Sequence, residues 1–366
     1  MAAIFAFPTT IVFASGSVGE LRGRLAALGA TRPLVVTDPG FCATRAFDAA
    51  RAVLPDGCVI FSDVQGNPTE ANAEAAATAF REQRCDGIVG LGGGSALDVA
   101  KIIRLRAKLP HWSFRDAIPV DEVIDELAPF IAIPTTAGTG SEVGRSSVLT
   151  IDGHKRVIFH PSLLADAVLL DPVLTVELPP KLTAATGADA LTHCIESFAS
   201  PVFHPLCDGI ALEGVRLIAR ALPRAVEEPG DLDARGTMLV AATMGGIAFQ
   251  KDLGAAHSLA HPLSALCGLH HGLANALVLP AVMRFNARRK PELYYRVGLA
   301  MGKLDTVAGV TGLLREIGIV PGLRAAGVRD DQLEALADQA FADACHLTNP
   351  VPVTRDDLLQ LYREAM

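Results

Sequence analysis

The chain has 366 residues, half of them apolar and a fifth charged, so it carries enough apolar residues for a sizeable core and is neither disordered nor of low complexity. Its length favours two domains over one. Thirty-two Lys and Arg against 40 Asp and Glu leave a net charge of −8, which offers no footprint for nucleic acid or an anionic membrane and points to a small-molecule partner.

Seven scattered cysteines without a CxxC pair argue against a disulfide framework and fit a reducing cytoplasm. Residues 1–19 carry no charged side chain, and Pro8-Thr9-Thr10 divides them into two β-rich pieces. Without a basic leading segment, they read as a small β-hairpin of Ile4–Phe7 and Ile11–Phe13 rather than a leader peptide. Its apolar edge could pair with a second copy, so a homodimer is expected. No run reaches the roughly 18 apolar residues of a membrane span.

From Leu21 onward, short apolar runs alternate with Ala-rich amphipathic stretches. Strands are expected at Leu34–Thr37, Val59–Phe61, Ile88–Leu91, Phe130–Ile133 and Val168–Leu170, with helices at about 42–53, 70–83 and 95–108. Nearly continuous apolar strands separated by helices predict a parallel sheet flanked by helices on both faces. Ser147–Ile151 and Arg156–His160, joined through Asp152-Gly153, read as an inserted hairpin. After Asp171-Pro172 and Pro179-Pro180, helical periodicity dominates, as in Asp208–Ala221, Ala234–Phe249 and Leu333–Cys345. The expectation is an α/β domain over 1–178 and an all-helical domain over 179–366. In open α/β sheets ligands sit beyond the carboxyl ends of the strands.

One such end is Gly90-Leu91-Gly92-Gly93-Gly94-Ser95, running from a strand into a helix. Three glycines let the backbone approach a ligand, and Ser95 is expected to cap the helix, whose N–H groups favour phosphate. It is neither GxGxxG, since Leu97 holds the last position, nor a P-loop. Asp38, ending the first strand of the alternating set, reads alone as a turn residue, but a carboxylate there also suits the ribose hydroxyls of NAD and repels the 2′-phosphate of NADP. Asn67 opens the next helix, and Pro134–Glu142 forms a loop of small, hydroxyl-bearing residues. Together these features favour a dinucleotide site.

In the helical half, Asp189 and His193 stand four apart, His257 and His261 repeat the spacing, and His270-His271 follow. On helices, i and i+4 share a face. An isolated pair would read as a core contact or an ion pair. This many buried polar groups need a shared partner, and imidazoles with one carboxylate suit Fe²⁺, Zn²⁺ or Mn²⁺. A closed structural zinc site would call for paired cysteines.

These segments resemble the iron-containing (group III) alcohol dehydrogenase family. Phe7 to Phe13, Gly92–Ser95 with Asp98 and Lys101, Pro134–Glu142, Gly187–Glu196 and His257–Asn275 carry the likeness over nearly the whole chain. The resemblance implies an N-terminal dinucleotide-binding domain and a C-terminal helical metal domain. It implies Asp189, His193, His257 and His271 as metal ligands and His261 as a proton relay beside the nicotinamide; His270, a departure next to the expected ligand, stands as a competitor of His271 for the metal. It implies NAD(H) contacts from Asp38, Asn67, Gly93, Gly94, Ser95, Asp98, Thr135, Thr136, Thr139, Ser141 and Lys155, with Leu174 near the adenosine. Fe²⁺ is the first metal expected, Zn²⁺ the second. The reaction implied is hydride transfer between nicotinamide C4 and an alcohol or aldehyde carbon. The rival on this scaffold is a metal-independent maleylacetate reductase; a nucleotide-binding sensor would show a damaged glycine loop or lack the relay histidine.

Overall fold

The structure, a computed structural model, describes Phe7, residues 9–122 and residues 124–366. It divides into two compact units, Phe7–Thr136 with Gly140–Leu178, and Ala137–Thr139 with Pro179–Met366.

The first unit holds β1 (Thr10–Phe13), β2 (Pro33–Val36), β3 (Val59–Phe61), β4 (Gly87–Gly92), β5 (Phe130–Pro134), β6 (Ser146–Ile151), β7 (His154–Phe159) and β8 (Ala167–Leu170). Among them run α1 (Leu21–Ala27), α2 (Pro39–Cys42), α3 (Arg45–Ala52), α4 (Glu70–Glu82) and α5 (Gly94–Lys108). Six strands form a parallel sheet in the order β1-β8-β5-β4-β2-β3. Every residue of β2, β4, β5 and β8 is buried, as expected for a parallel sheet covered on both faces. β1 pairs in parallel with β8 at the sheet edge; residues 4–6 of the hairpin arm expected before it lie outside the described residues. The inserted hairpin forms from β6 and β7, with Ile151 opposite His154. Its turn residues Asp152 and Gly153 both take positive φ, 52° and 78°, the left-handed pair a tight hairpin demands.

The second unit is helical: α6 (Pro180–Ala199), α7 (Pro205–Glu227), α8 (Leu232–Ala248), α9 (Ala255–Cys267), α10 (His271–Ala287), α11 (Pro291–Met301), α12 (Thr306–Glu316), α13 (Leu333–Ala342) and α14 (Arg355–Ala365). α6 lies at its centre, buried at every position from Thr183 to Ala199. A helix buried all round must find partners for each polar side chain it carries. The apolar core comprises Leu191, Ile195 and Phe198 of α6 with Val215 and Ile218 of α7, Leu259 of α9 and Val278 of α10.

Two expected helix ends differ. α7 continues past Ala221 through Pro223 to Glu227. α13 stops at Ala342 instead of reaching Cys345, because Asp343 leaves helical geometry and its carboxylate accepts the Cys345 N–H. Ala137–Thr139 groups with the helices although its flanks belong to the α/β unit. Gly138 lies flush on α6, where a Cβ would come within 2.8 Å of Thr186 Cβ.

Candidate cofactor turn and metal centre

In the α/β unit the chain runs from β2 outward to β3, then returns to the other side of β2 as β4. β2 and β4 are therefore the adjacent strands at which the winding reverses, and their carboxyl ends form the crevice where such sheets take ligands. Asp38 follows β2, and Gly92-Gly93-Gly94 ends β4. Asp38 Oδ1 accepts the Phe41 N–H at 2.9 Å, capping α2, while its other oxygen lies beside Gly92, where a Cβ would approach it to 3.3 Å. Thr135, buried, donates its N–H to the Gly92 carbonyl at 3.0 Å, and Thr136 lies against Gly93.

α5 starts at Gly94 with Gly93 as its N-cap and no side-chain cap. Ser95 thus lies inside the first turn rather than capping it, and its hydroxyl donates to the Gly66 carbonyl at 2.9 Å, beside the exposed Asn67. The capping role expected of Ser95 is corrected by this geometry. Uncapped N–H groups at a helix start suit an anion.

Asp98 and Ser141 face inward. Asp98 accepts from Ser141 Oγ at 2.6 Å and from the Val148 N–H at 3.0 Å, so it fastens β6 to α5. Lys101, fully buried, donates to Ser141 Oγ at 2.7 Å and the Ser146 carbonyl at 2.8 Å. Burial raises the Asp98 carboxyl pKa, against the pull of Lys101, Ser141 and Lys155, and burial lowers that of Lys101. Lys155 stands on β7 opposite Thr150. Leu174, 3 % exposed, belongs to the same apolar cluster as Val35, Phe41 and Leu91. Thr139 belongs to the segment grouped with the helical unit.

In that unit three helices converge. Asp189 comes from the middle of α6, His257 from the first turn of α9, and His271 is the first residue of α10. One ligand atom from each lies within 4.8 Å of the other two. His271 Nε2 stands 3.6 Å and His257 Nε2 4.0 Å from Asp189 Oδ1. His271, not the exposed N-cap residue His270, faces the carboxylate. Gly272 permits this approach: a Cβ there would lie 2.1 Å from the Ala185 carbonyl oxygen of α6. His193, one turn beyond Asp189, is not among the three converging ligand groups; it stacks on the His257 ring with centroids 4.6 Å apart.

Burial alone would raise the Asp189 carboxyl, but His271, His193, His257 and Asn275 hold it well below the usual carboxylate range. Burial takes the His193 imidazole down to about 4 despite Asp189, leaving it neutral and able to donate a lone pair at neutral pH. An ionised carboxylate, two converging imidazoles and a third, neutral imidazole stacked on one of them fit a divalent transition metal.

Three supporting residues went unassigned in the sequence. Glu196, one turn past His193, accepts the His257 Nδ1–H at 2.6 Å and turns Nε2 toward Asp189. Carboxylates commonly orient metal-binding histidines in this way. Asn275 Nδ2 lies 2.8 Å from Asp189 Oδ1, 3.1 Å from His257 Nε2 and 3.3 Å from His271 Nε2. Their signal was helical spacing, seven from Asp189 and four from His271. Asp343 had none, being hidden in an apparently unbroken helix. It accepts His261 Nδ1–H at 2.7 Å and Ser258 Oγ–H at 2.9 Å. The His261 ring stacks on His271 with centroids 5.2 Å apart.

The profile described as iron-containing alcohol dehydrogenase matches residues 8–172, and the one described as Fe-containing alcohol dehydrogenase family, C-terminal, matches residues 183–366. The chain belongs to the iron-containing alcohol dehydrogenase family. This family member is an oxidoreductase acting on CH–OH groups, and like relatives of known structure it has a parallel α/β N-terminal half and a helical C-terminal half. It is 40% identical to a 4-hydroxybutyrate dehydrogenase of Cupriavidus necator, over 96% of each chain. A crystal structure of 1,3-propanediol oxidoreductase superposes with a TM-score of 0.94 at 34% identity, covering 100% of both chains. A sulfoacetaldehyde reductase of Bifidobacterium kashiwanohense in complex with NAD⁺ gives 0.88 at 31%, over 100% of this chain and 99% of that one. Among the described residues no single helix is long and apolar enough to cross a membrane.

Proposed function

We propose that the protein is a metal-dependent, NAD(H)-linked alcohol dehydrogenase and aldehyde reductase, with Asp189, His193, His257 and His271 as the ligands of Fe²⁺ or, second, Zn²⁺. The convergence of Asp189, His257 and His271 within 4.8 Å carries this reading. When bound, the metal supplies Lewis acidity at the substrate oxygen, and NAD(H) exchanges hydride with the substrate carbon.

The chain's own residues do the rest. Glu196 fixes the His257 tautomer, and Asp343 does the same for His261, leaving His261 Nε2 to take a proton from an alcohol and pass it to solvent. Gly93, Gly94 and the start of α5 receive the pyrophosphate. Asp38 takes the ribose hydroxyls, which favours NAD over NADP. Asn67, Ser95, Thr135, Thr136, Thr139 and Lys155 line the dinucleotide, while Asp98 and Ser141 act on it through the hairpin they hold. The named activities of the relatives support short alcohols bearing a second functional group. Seven free cysteines support a cytoplasmic setting, and edge strand β1, with Phe13 51% exposed, supports a homodimer.

The test is NADH consumption with short aldehydes, alongside maleylacetate, after chelator treatment and anaerobic return of Fe²⁺ or Zn²⁺. Aldehyde reduction that disappears with the metal and returns with it is expected. Chelator-resistant activity favouring maleylacetate would establish the metal-independent reductase instead.

A further inference from the structure

We propose that His261, Asp343 and Cys345 form a second divalent-cation site, adjacent to the Asp189 set and inhibitory when filled. One ligand atom from each of the three lies within 4.8 Å of the other two, and all three residues are only partly buried, so an ion can reach them. Asp343 organises the group. Its Oδ2 is 2.7 Å from His261 Nδ1, while its Oδ1 accepts the Cys345 N–H at 2.9 Å and folds the Asp343-Ala344-Cys345 turn toward the ring.

The donor chemistry selects the ion. Thiolate, imidazole and carboxylate are the ligands of Zn²⁺ and similar borderline ions, whereas Mg²⁺ and Ca²⁺ want more oxygen. Sulfur also separates this group from the Asp189 set, which has none. The local field favours a cation as well. Burial, and then the negative charges of Asp343, Glu196 and Asp252, push the Cys345 thiol well above its ordinary range. Of these causes the three carboxylates, not the burial, attract a divalent cation, which neutralises the sulfur as it binds.

Binding releases one proton and moves another. The Cys345 thiol proton goes to solvent as Sγ bonds the ion. The His261 ring proton passes from Nδ1 to Nε2 as Nδ1 becomes a ligand, and the Asp343 carboxylate exchanges a hydrogen bond for a metal bond. No oxidation state changes. His261 Nε2 is then a donor instead of an acceptor and no longer takes a proton from substrate. The inhibitory consequence rests on the relay role proposed above; the site itself does not.

The probe is Co²⁺ titrated into the full-length protein. Filling of the sulfur-free set gives ligand-field bands alone, and further Co²⁺ is expected to add a thiolate-to-metal charge-transfer band in the near ultraviolet. Cys345→Ala should abolish that band and keep the ligand-field bands. His257→Ala should lose the sulfur-free binding step that comes first and keep the charge-transfer band with the ligand-field bands of the thiolate site, so failure of the catalytic-metal reading and failure of this one are told apart. Kinetically, excess Zn²⁺ should inhibit the Fe²⁺-loaded enzyme, and Cys345→Ala should require roughly tenfold or more Zn²⁺ for equal inhibition. A titration without the charge-transfer band, or a band that survives in Cys345→Ala, would overturn the site. Zn²⁺ inhibition unchanged in that variant would overturn the inhibitory role.

Discussion

His257 and His261 occupy successive turns of α9, and each donates Nδ1–H to a carboxylate, Glu196 at 2.6 Å and Asp343 at 2.7 Å. What separates them is where the other nitrogen points. His257 Nε2 lies 4.0 Å from Asp189 Oδ1 on a side chain 1% exposed, whereas the His261 side chain is 23% exposed. His257→Ala should therefore empty the metal set. His261→Ala should keep its metal while turnover falls by about 10²- to 10⁴-fold, the usual worth of a positioned acid–base group. Metal analysis beside kcat decides this, and metal loss in His261→Ala would reverse the assignment of roles. The i, i+4 pairs were legible because helical spacing alone puts such residues on one face. Roles that depend on where the chain returns from far away were not. The bond from the Val148 N–H to Asp98, 50 residues away, and the place of Leu174 in the core cluster have no local signal of this kind.

At the scale of elements, the donor set exists because helices approach closely. α10 can carry His271 to Asp189 only because Gly272 leaves room for the Ala185 carbonyl. Gly272→Ala should push the helices apart, cost about 1–3 kcal/mol as an overpacked contact, and lower metal content along with activity. Full metal occupancy at lowered stability would show that His271 needs less support than the geometry implies. The turn into α9 is strained: Asp252 holds φ 61° and ψ −175°, a region used almost solely by glycine. Asp252→Gly should raise the melting temperature by roughly 2–4 °C, since relieved strain of about 1–3 kcal/mol exceeds the entropy cost of a new glycine. Thermal unfolding by circular dichroism tests it, and a fall in melting temperature would refute it. The strands and the Asp152-Gly153 hairpin were readable because period and turn chemistry are local. The end of α13 was not, since Asp343 breaks helical periodicity only to meet His261 and Ser258, which are 82 and 85 residues away.

For the whole molecule, the division into units makes a metal ion a selective stabiliser. Its proposed ligands come from α6, α9 and α10, all in the helical unit, while the sole tryptophan, Trp112, lies in the α/β unit. A ligand that binds only the folded state at a hundred times its Kd stabilises by about 2.7 kcal/mol. For a unit of this size that is a rise of roughly 5–10 °C in melting temperature. Far-ultraviolet circular dichroism, which reports mostly on helices, should show that rise when Fe²⁺ or Zn²⁺ is returned to chelator-treated protein. Trp112 fluorescence should show a smaller one. Equal shifts by both probes would mean that the two units unfold as one cooperative block, and no shift in either would mean that the converging histidines bind no metal under those conditions. The His257→Ala/Cys345→Ala protein is the control: its melting temperature should ignore Fe²⁺, because it has lost a donor from each of the two proposed sites.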